Sequence, residues 1–448
     1  MSNRSYSLEI LQVFIITLSI VAYYFIGYKI DRGQSLVLLP TYTVLFFLAY
    51  FLIRKLNSLK HIFWIGVLFR LIILTSIPLL SQDFYRFIWD GMLLTNKINP
   101  YEFTPNMLIN STDLLSSQFS QELYDGMGEL SAQHYSNYPP INQLGFYIAS
   151  LIGKKSVLAN IISIRVMIIL FDLLIFSIGT KLLKQLELPT NRISFYFLNP
   201  LVIIELAGNL HWEGVMIFFF LSGLYFIFYE NKYKWSTVFM SISVAIKLIP
   251  LILLPLLWNY LKPRKSILFG IITSFLLCFL FLPLFVLENG IDHYLKTINL
   301  WFNRFEFNGS IYNLIRQIGY EIKVYNIIRT FGKVSPFIII SIVAAFSFIK
   351  KNNTPSKVIT GMLLTLSCYF FVSTTIHPWY IISLVALSMF TRYTYPILWS
   401  TVVILSYATY GNLEFKENNL LLLLQYGFVY LTLFYELLWK KSLLHHLK

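Results

Sequence analysis

Two carboxylates seven residues apart, Asp83 and Asp90, stand in the run Asp83-Phe84-Tyr85-Arg86-Phe87-Ile88-Trp89-Asp90-Gly91. On a helix they lie two turns apart on one face, with Tyr85, Arg86 and Trp89 around them. A carboxylate partly desolvated by aromatic rings and steered by a neighbouring arginine suits a general base that takes a proton from a hydroxyl. The same run also reads as an amphipathic surface helix whose charges only face water, and the residue types alone leave both readings open.

The elements that must position these groups are set by composition. The chain has 448 residues, 57% of them hydrophobic, 18% aromatic and 12% charged, so its charged fraction is about half the roughly 25% of a soluble domain. A bilayer core takes about 20 apolar residues of helix to cross. Stretches of that kind recur from Ile10 to Trp439 with no long polar domain between them. The expectation is an all-α, polytopic membrane protein with about 11–14 transmembrane helices, organised as a single domain over 1–448. Cys278 and Cys368 fall inside apolar runs and read as small hydrophobes.

The net charge of +14 would suggest nucleic acid in a soluble protein; here its location decides otherwise. With a cytoplasmic N-terminus, the excess of basic over acidic residues falls on the cytoplasmic segments, among them Arg54, Lys55, Lys60, Lys181, Lys184, Lys262, Arg264 and Lys265. That is the positive-inside pattern, so no nucleic-acid partner is expected, both termini read as cytoplasmic, and the first span reads as an uncleaved anchor. Two segments of the other face, about 81–156 and 287–335, are too long for turns. Each contains an aromatic-rich amphipathic stretch, Phe84 to Leu94 and Tyr294 to Ile315, expected to lie in the membrane interface.

Further along, the order Asp83-x-Tyr85, Trp89-Asp90-Gly91, Asn99-Pro100-Tyr101, Tyr138-Pro139-Pro140, then Asn199-Pro200-Leu201 with Glu205, Asn209 and His211, Lys247 ahead of Pro250, and His377-Pro378-Trp379-Tyr380 resembles the GT-C glycosyltransferases. Among them it is most similar to the polyprenyl-phosphate-mannose-dependent mannosyltransferases. At His211-Trp212-Glu213 the chain departs from the family's frequent His-Asn-Asp. The resemblance implies a GT-C fold, a lipid-linked sugar donor and a glycan or glycolipid acceptor. It implies transfer of a hexose, mannose in the first place, on the external face of a membrane that reads as the bacterial inner membrane.

What the resemblance implies for residues is that Asp83 acts as base, with Asp90 second in line or else an acceptor or metal contact, and that Arg304, His377 and Lys247 meet the phosphate. Tyr85, Arg86, Tyr101, Asn209, His211 and Tyr380 join them as substrate-binding candidates. A phosphate leaves readily, so no general acid of the glycosidase kind is required, and a single displacement inverts the anomeric carbon. No His-x-His, cysteine cluster or glycine-rich phosphate loop is present, so neither a metal cofactor nor a nucleotide donor is expected, although Asp83, Asp90 and Glu102 together could hold a divalent ion. The bland readings are snorkelling for Lys247, a membrane-surface helix for Arg304, and intramembrane pairing for Arg70, Arg165 and Asp172. The competing class is a multi-spanning transporter or lipid-linked-oligosaccharide flippase, which charges lining opposed helices would favour.

Overall fold

The computed structural model describes residues 2–109, 117–230, 232–323, 325–411, 415–440 and 442. The chain is an all-α polytopic membrane protein. Among the described residues there is no strand, and one isolated bridge joins Phe307 to Thr375. In order the principal helices are α1 (Ser2–Tyr28), α2 (Ser35–Lys55), α3 (Leu59–Ile72), α4 (Asp83–Thr95), α5 (Gln118–Ala132), α6 (Pro140–Gly153), α7 (Val157–Gln185), α8 (Glu213–Phe228), α9 (Tyr233–Ile246), α10 (Pro263–Leu280), α11 (Gly290–Arg304), α12 (Ile311–Lys323), α13 (Ile328–Ala344), α14 (Pro355–Val372), α15 (Ile381–Ser388), α16 (Tyr395–Val402) and α17 (Asn419–Leu438).

By length and composition seven described helices can cross a membrane, in α1, α2, α7, α10, α13 with the π-helical turn Ala345–Ile349 that continues it, α14 and α17, and an eighth if Pro200–Gly208 and Glu213–Phe228 form one broken span. The other apolar runs read from hydropathy, between 193 and 261 and between 378 and 411, are not single long helices: they are interrupted by Pro200, Pro250, Pro255, Pro378 and Pro396, each removing a backbone donor and restricting the residue before it. Short α-, 3₁₀- and π-helical pieces carry the chain there.

Contacts gather the chain into two units, 1–81 with 168–211 and 378–448, and 82–167 with 212–377. In the first, Arg70 of α3 is fully buried and spends its donors on Asp172 Oδ2 at 2.7 Å, Gly66 O at 2.8 Å and Phe197 O at 2.9 Å. Tyr196 donates to the other oxygen of Asp172 at 2.7 Å. The guanidinium also lies over the Phe197 ring. A charge inside a membrane helix is costly unless paired, and here it is paired and hydrogen-bonded, as the structural reading of Arg70 and Asp172 requires.

In the second unit the described residues from 82 to 156 are largely helical, and α4 packs on α5 and α6. Gly91 lets α4 come close to α6: a Cβ there would come within 2.3 Å of Phe146 O. The stretch from Tyr294 to Ile315 is two helices, α11 and α12, with a break at 305–310. Along α12, Ile311, Leu314, Ile315, Ile318 and Ile322 stay exposed on the 3–4 spacing of one face, the pattern of a helix lying on a lipid surface.

Candidate active site

Asp83 is the first residue of α4 and the acid of its first turn. The partial positive charge of a helix N-terminus favours the ionised carboxylate. The residue before it anchors that end: Gln82 donates to Met127 O at 3.1 Å, where α5 is kinked at Gly128 (φ 75°). The left-handed backbone and the adjacent Gln82 amide, 2.9 Å from where a Cβ would be, make glycine the natural residue at that position. Asp83 and Tyr85 remain partly accessible, whereas Phe84 and the residues from Arg86 to Leu93 are buried. The Tyr85 ring lies against Gly126, and burial, then the Glu122 charge, pushes its hydroxyl pKa up.

Asp90 is 0% exposed. It accepts from Arg86 Nε at 2.7 Å on one oxygen, and from Ser136 Oγ at 2.5 Å and Gln143 Nε2 at 2.8 Å on the other. Arg86 continues to Ser131 O at 2.8 Å and His134 O at 2.9 Å. The pair thus ties α4 to the segment 131–136 and, through Gln143, to α6. Arg86 and Asp90 do not face water, which removes the surface-helix reading for these two. Tyr101 is a core residue as well: its hydroxyl donates to Tyr138 O at 2.6 Å and its ring packs with Tyr294. Burial pushes its pKa well up.

The same fastened segment meets the second long stretch between apolar runs. Tyr135 stacks on His293 at 3.8 Å between centroids, His293 Nδ1 contacts Tyr101 O at 2.9 Å, and Thr297 donates to Tyr135 O at 3.3 Å. Beyond α11 the chain reaches Phe305 and Phe307, whose rings stack with His377 at 6.0 and 5.1 Å. Asn308 donates to Ile376 O at 3.1 Å. Lys247, the residue that ends α9, is ion-paired with Glu213. Burial first, and the Lys247 charge second, push the His377 pKa down to about 3, so the imidazole is neutral at ordinary pH and offers a hydrogen-bond donor rather than a cation. Arg304 is exposed in the last turn of α11.

Asn209, His211 and Tyr380 belong to the first unit. There a π-helical turn, Ile203–Gly208, presents the buried carboxylate of Glu205. It accepts from Tyr407 at 2.8 Å and Asn209 Nδ2 at 2.9 Å, with His211 Nε2 at 3.4 Å. His211 stacks on Trp379 at 3.7 Å, and Trp379 meets Tyr380 edge-on at 6.0 Å. Single π turns recur at functional sites because they turn a side chain out of helical register. The Asn-Pro-Leu motif just before is a cap: Asn199 Oδ1 accepts from Leu201 N at 2.9 Å.

The structure therefore brings Arg86 to Asp90, Lys247 and Glu213 towards His377, and Asn209 to His211 through Glu205. Reading along the chain did not assign Ser136, Gln143 or Tyr407 a part. Gln143 stands three residues after Pro140 and was within reach of the motif; Tyr407 lies 202 residues from its partner and no local pattern marks it. Among the described residues no cluster of three or more His, Cys, Asp or Glu side chains could hold a metal ion.

Residues 19–261, more than half of the chain, match the MptA_B family model, alpha-(1->6)-mannopyranosyltransferase, N-terminal domain. The matched region contains Asp83, Tyr85, Arg86, Asp90, Tyr101, Asn209, His211 and Lys247; Arg304, His377 and Tyr380 lie beyond it. No curated protein matches the chain. With the family model covering that much of an all-α polytopic protein, the chain belongs to the MptA_B family of GT-C-type mannosyltransferases.

Proposed function

We propose that this membrane-embedded mannosyltransferase takes mannose from polyprenyl-phosphate-mannose and delivers it to a hydroxyl of an external glycan or glycolipid, with Asp83 as the base. The acceptor hydroxyl approaches the anomeric carbon while Asp83 takes its proton. The C1–O bond to the phosphate breaks, and its electrons leave on the polyprenyl phosphate. Because phosphate is a good leaving group, a carboxylate is basic enough for this step. Lys247 stabilises the charge that grows on the departing phosphate, neutral His377 donates a hydrogen bond to it, and exposed Arg304 meets phosphate at the membrane surface. The displacement inverts C1. If the product linkage is alpha-(1->6), as the family name states for its members, the acceptor group is a 6-hydroxyl and the donor linkage is beta.

The observation that carries this reading is Asp83 itself: a partly accessible carboxylate heading a helix whose next turns are buried and fastened. Asp90, with both oxygens engaged, acts as a positioning residue. Arg70 and Asp172, charges that would have favoured transport, are spent on each other. In this reading the transfer occurs on the outer face of a bacterial inner membrane and both termini are cytoplasmic, as the basic residues of the intervening segments suggest. The test is a donor comparison with the purified protein and an oligomannoside acceptor. Label moves from polyprenyl-phosphate-mannose and not from a nucleotide-mannose; the reverse preference would overturn the donor. A membrane-impermeant thiol probe reacts from outside with cysteine placed at position 83 and from inside at position 55; the opposite pattern would overturn the sidedness.

A further inference from the structure

A groove is left open inside the second unit. It lies between the Ile249–Leu261 segment and α10, has a volume of about 210 Å³, and is walled by Leu254, Trp258 and Leu261 on one side and by Phe269, Thr273 and Leu277 on the other. Its α10 wall runs from Ser266 to Leu277 on the helical 3–4 spacing, about 16 Å of helix. The Thr273 hydroxyl is buried against the groove with no hydrogen-bond partner. Gly270 sits at the rim, and a Cβ there would meet nothing within 4 Å; the groove opens sideways, towards the space a bilayer fills.

One end of the groove is cationic. Lys262, Arg264 and Lys265 are exposed at the start of α10, and among the described residues none of them has an ion-pair partner. Asn259 binds Ser347 O at 2.8 Å and Lys350 O at 3.0 Å, which brings Lys350 and Lys351 to the same end. The sequence has no Asp or Glu from 231 to 287, nor from 322 to 413. Lys247 and Lys262 bracket the Ile249–Leu261 segment, nine 3₁₀ residues followed by four α-helical ones, or roughly 24 Å end to end. That is most of a hydrocarbon core, so an anion held here is not the phosphate that reacts beside Lys247.

We propose that this groove is a binding site for one anionic glycerophospholipid, its phosphate met by Lys262, Arg264 and Lys265 and one acyl chain laid between α10 and the Ile249–Leu261 segment. The site belongs to the membrane face opposite the one where transfer occurs, and its occupant fills the surface that α10 leaves unpartnered.

The test uses the full chain in nanodiscs and native mass spectrometry, with phosphatidylglycerol and phosphatidylcholine as probes. One copy of phosphatidylglycerol is retained in preference to phosphatidylcholine. Replacing Lys262, Arg264 and Lys265 together by Gln lowers that retention by about five-fold per cation lost, the size expected for a basic side chain near an anionic headgroup. Gly270→Leu enters open space and suits a helix, so the fold is kept while the groove is filled, and the retained copy is lost. Equal retention of both lipids, or retention unchanged in Gly270→Leu, would overturn the site. Displacement of phosphatidylglycerol by an equal amount of polyprenyl phosphate would show a carrier-lipid site instead and overturn the assignment.

Discussion

Replacing Asp90 by Asn separates a positioning role from a chemical one. The carboxylate receives three hydrogen bonds, from Arg86, Ser136 and Gln143, at a site with side-chain exposures of 5% and 0% for the arginine and the acid. Asn supplies one acceptor oxygen and turns an NH2 group towards donors. It also leaves the Arg86 charge uncompensated except by the carbonyls of Ser131 and His134. Breaking a buried pair by removing one partner costs about 3–5 kcal/mol; the two remaining carbonyls place this case near about 3 kcal/mol, a factor of roughly 100 in a local opening constant. Hydrogen exchange on the amides of α4 and of residues 131–136 reads that number directly. Protection there falls roughly 100-fold in Asp90→Asn, transfer falls with it, and the distant helix α17 keeps its wild-type exchange. Unchanged exchange in α4 together with abolished transfer would refute the reasoning and return Asp90 to the chemistry.

Three other outcomes are expected. Lys247→Met lowers kcat by about 10²–10³ if the ammonium stabilises departing phosphate, and adding Glu213→Gln restores thermal stability without restoring rate; recovery of both would make the pair purely structural. His377 has a lowered pKa in the fold, so its contribution to stability is complete above the unfolded value near 6.5 and is lost as pH falls towards about 3. Acid unfolding midpoints of His377→Gln therefore depend less on pH through that window than those of the wild type, and parallel curves would contradict the assignment. Tyr407→Phe removes a donor to the buried Glu205 carboxylate and costs about 1.5–3 kcal/mol in denaturant unfolding, with no loss expected if that carboxylate finds another donor.

How much of this was legible beforehand depends on how far apart the partners lie. The membrane class and the helix headed by Asp83 could be read because composition and a contiguous run carry them. The exposed face of α12 was readable too, since Ile311, Leu314, Ile315 and Ile318 keep helical spacing. The bounds of the spans were less legible, because a hydropathy window cannot see Pro250 or Pro255 breaking an apolar run into 3₁₀ turns. The fasteners of Asp90 were not legible: Ser136 and Gln143 lie 46 and 53 residues away, and nothing local distinguishes them from other polar loop residues. Glu205 drew notice through Asn209 and His211, but its tie to Tyr407 is a product of tertiary packing alone.

The central claim is that the Asp83 carboxylate takes the acceptor proton, and single-turnover transfer from labelled polyprenyl-phosphate-mannose by wild type and Asp83→Asn tests it most directly. The expected result is a chemical step slowed by about 10²–10⁴ with donor binding and α4 hydrogen exchange unchanged. Equal single-turnover rates for the two proteins would contradict it.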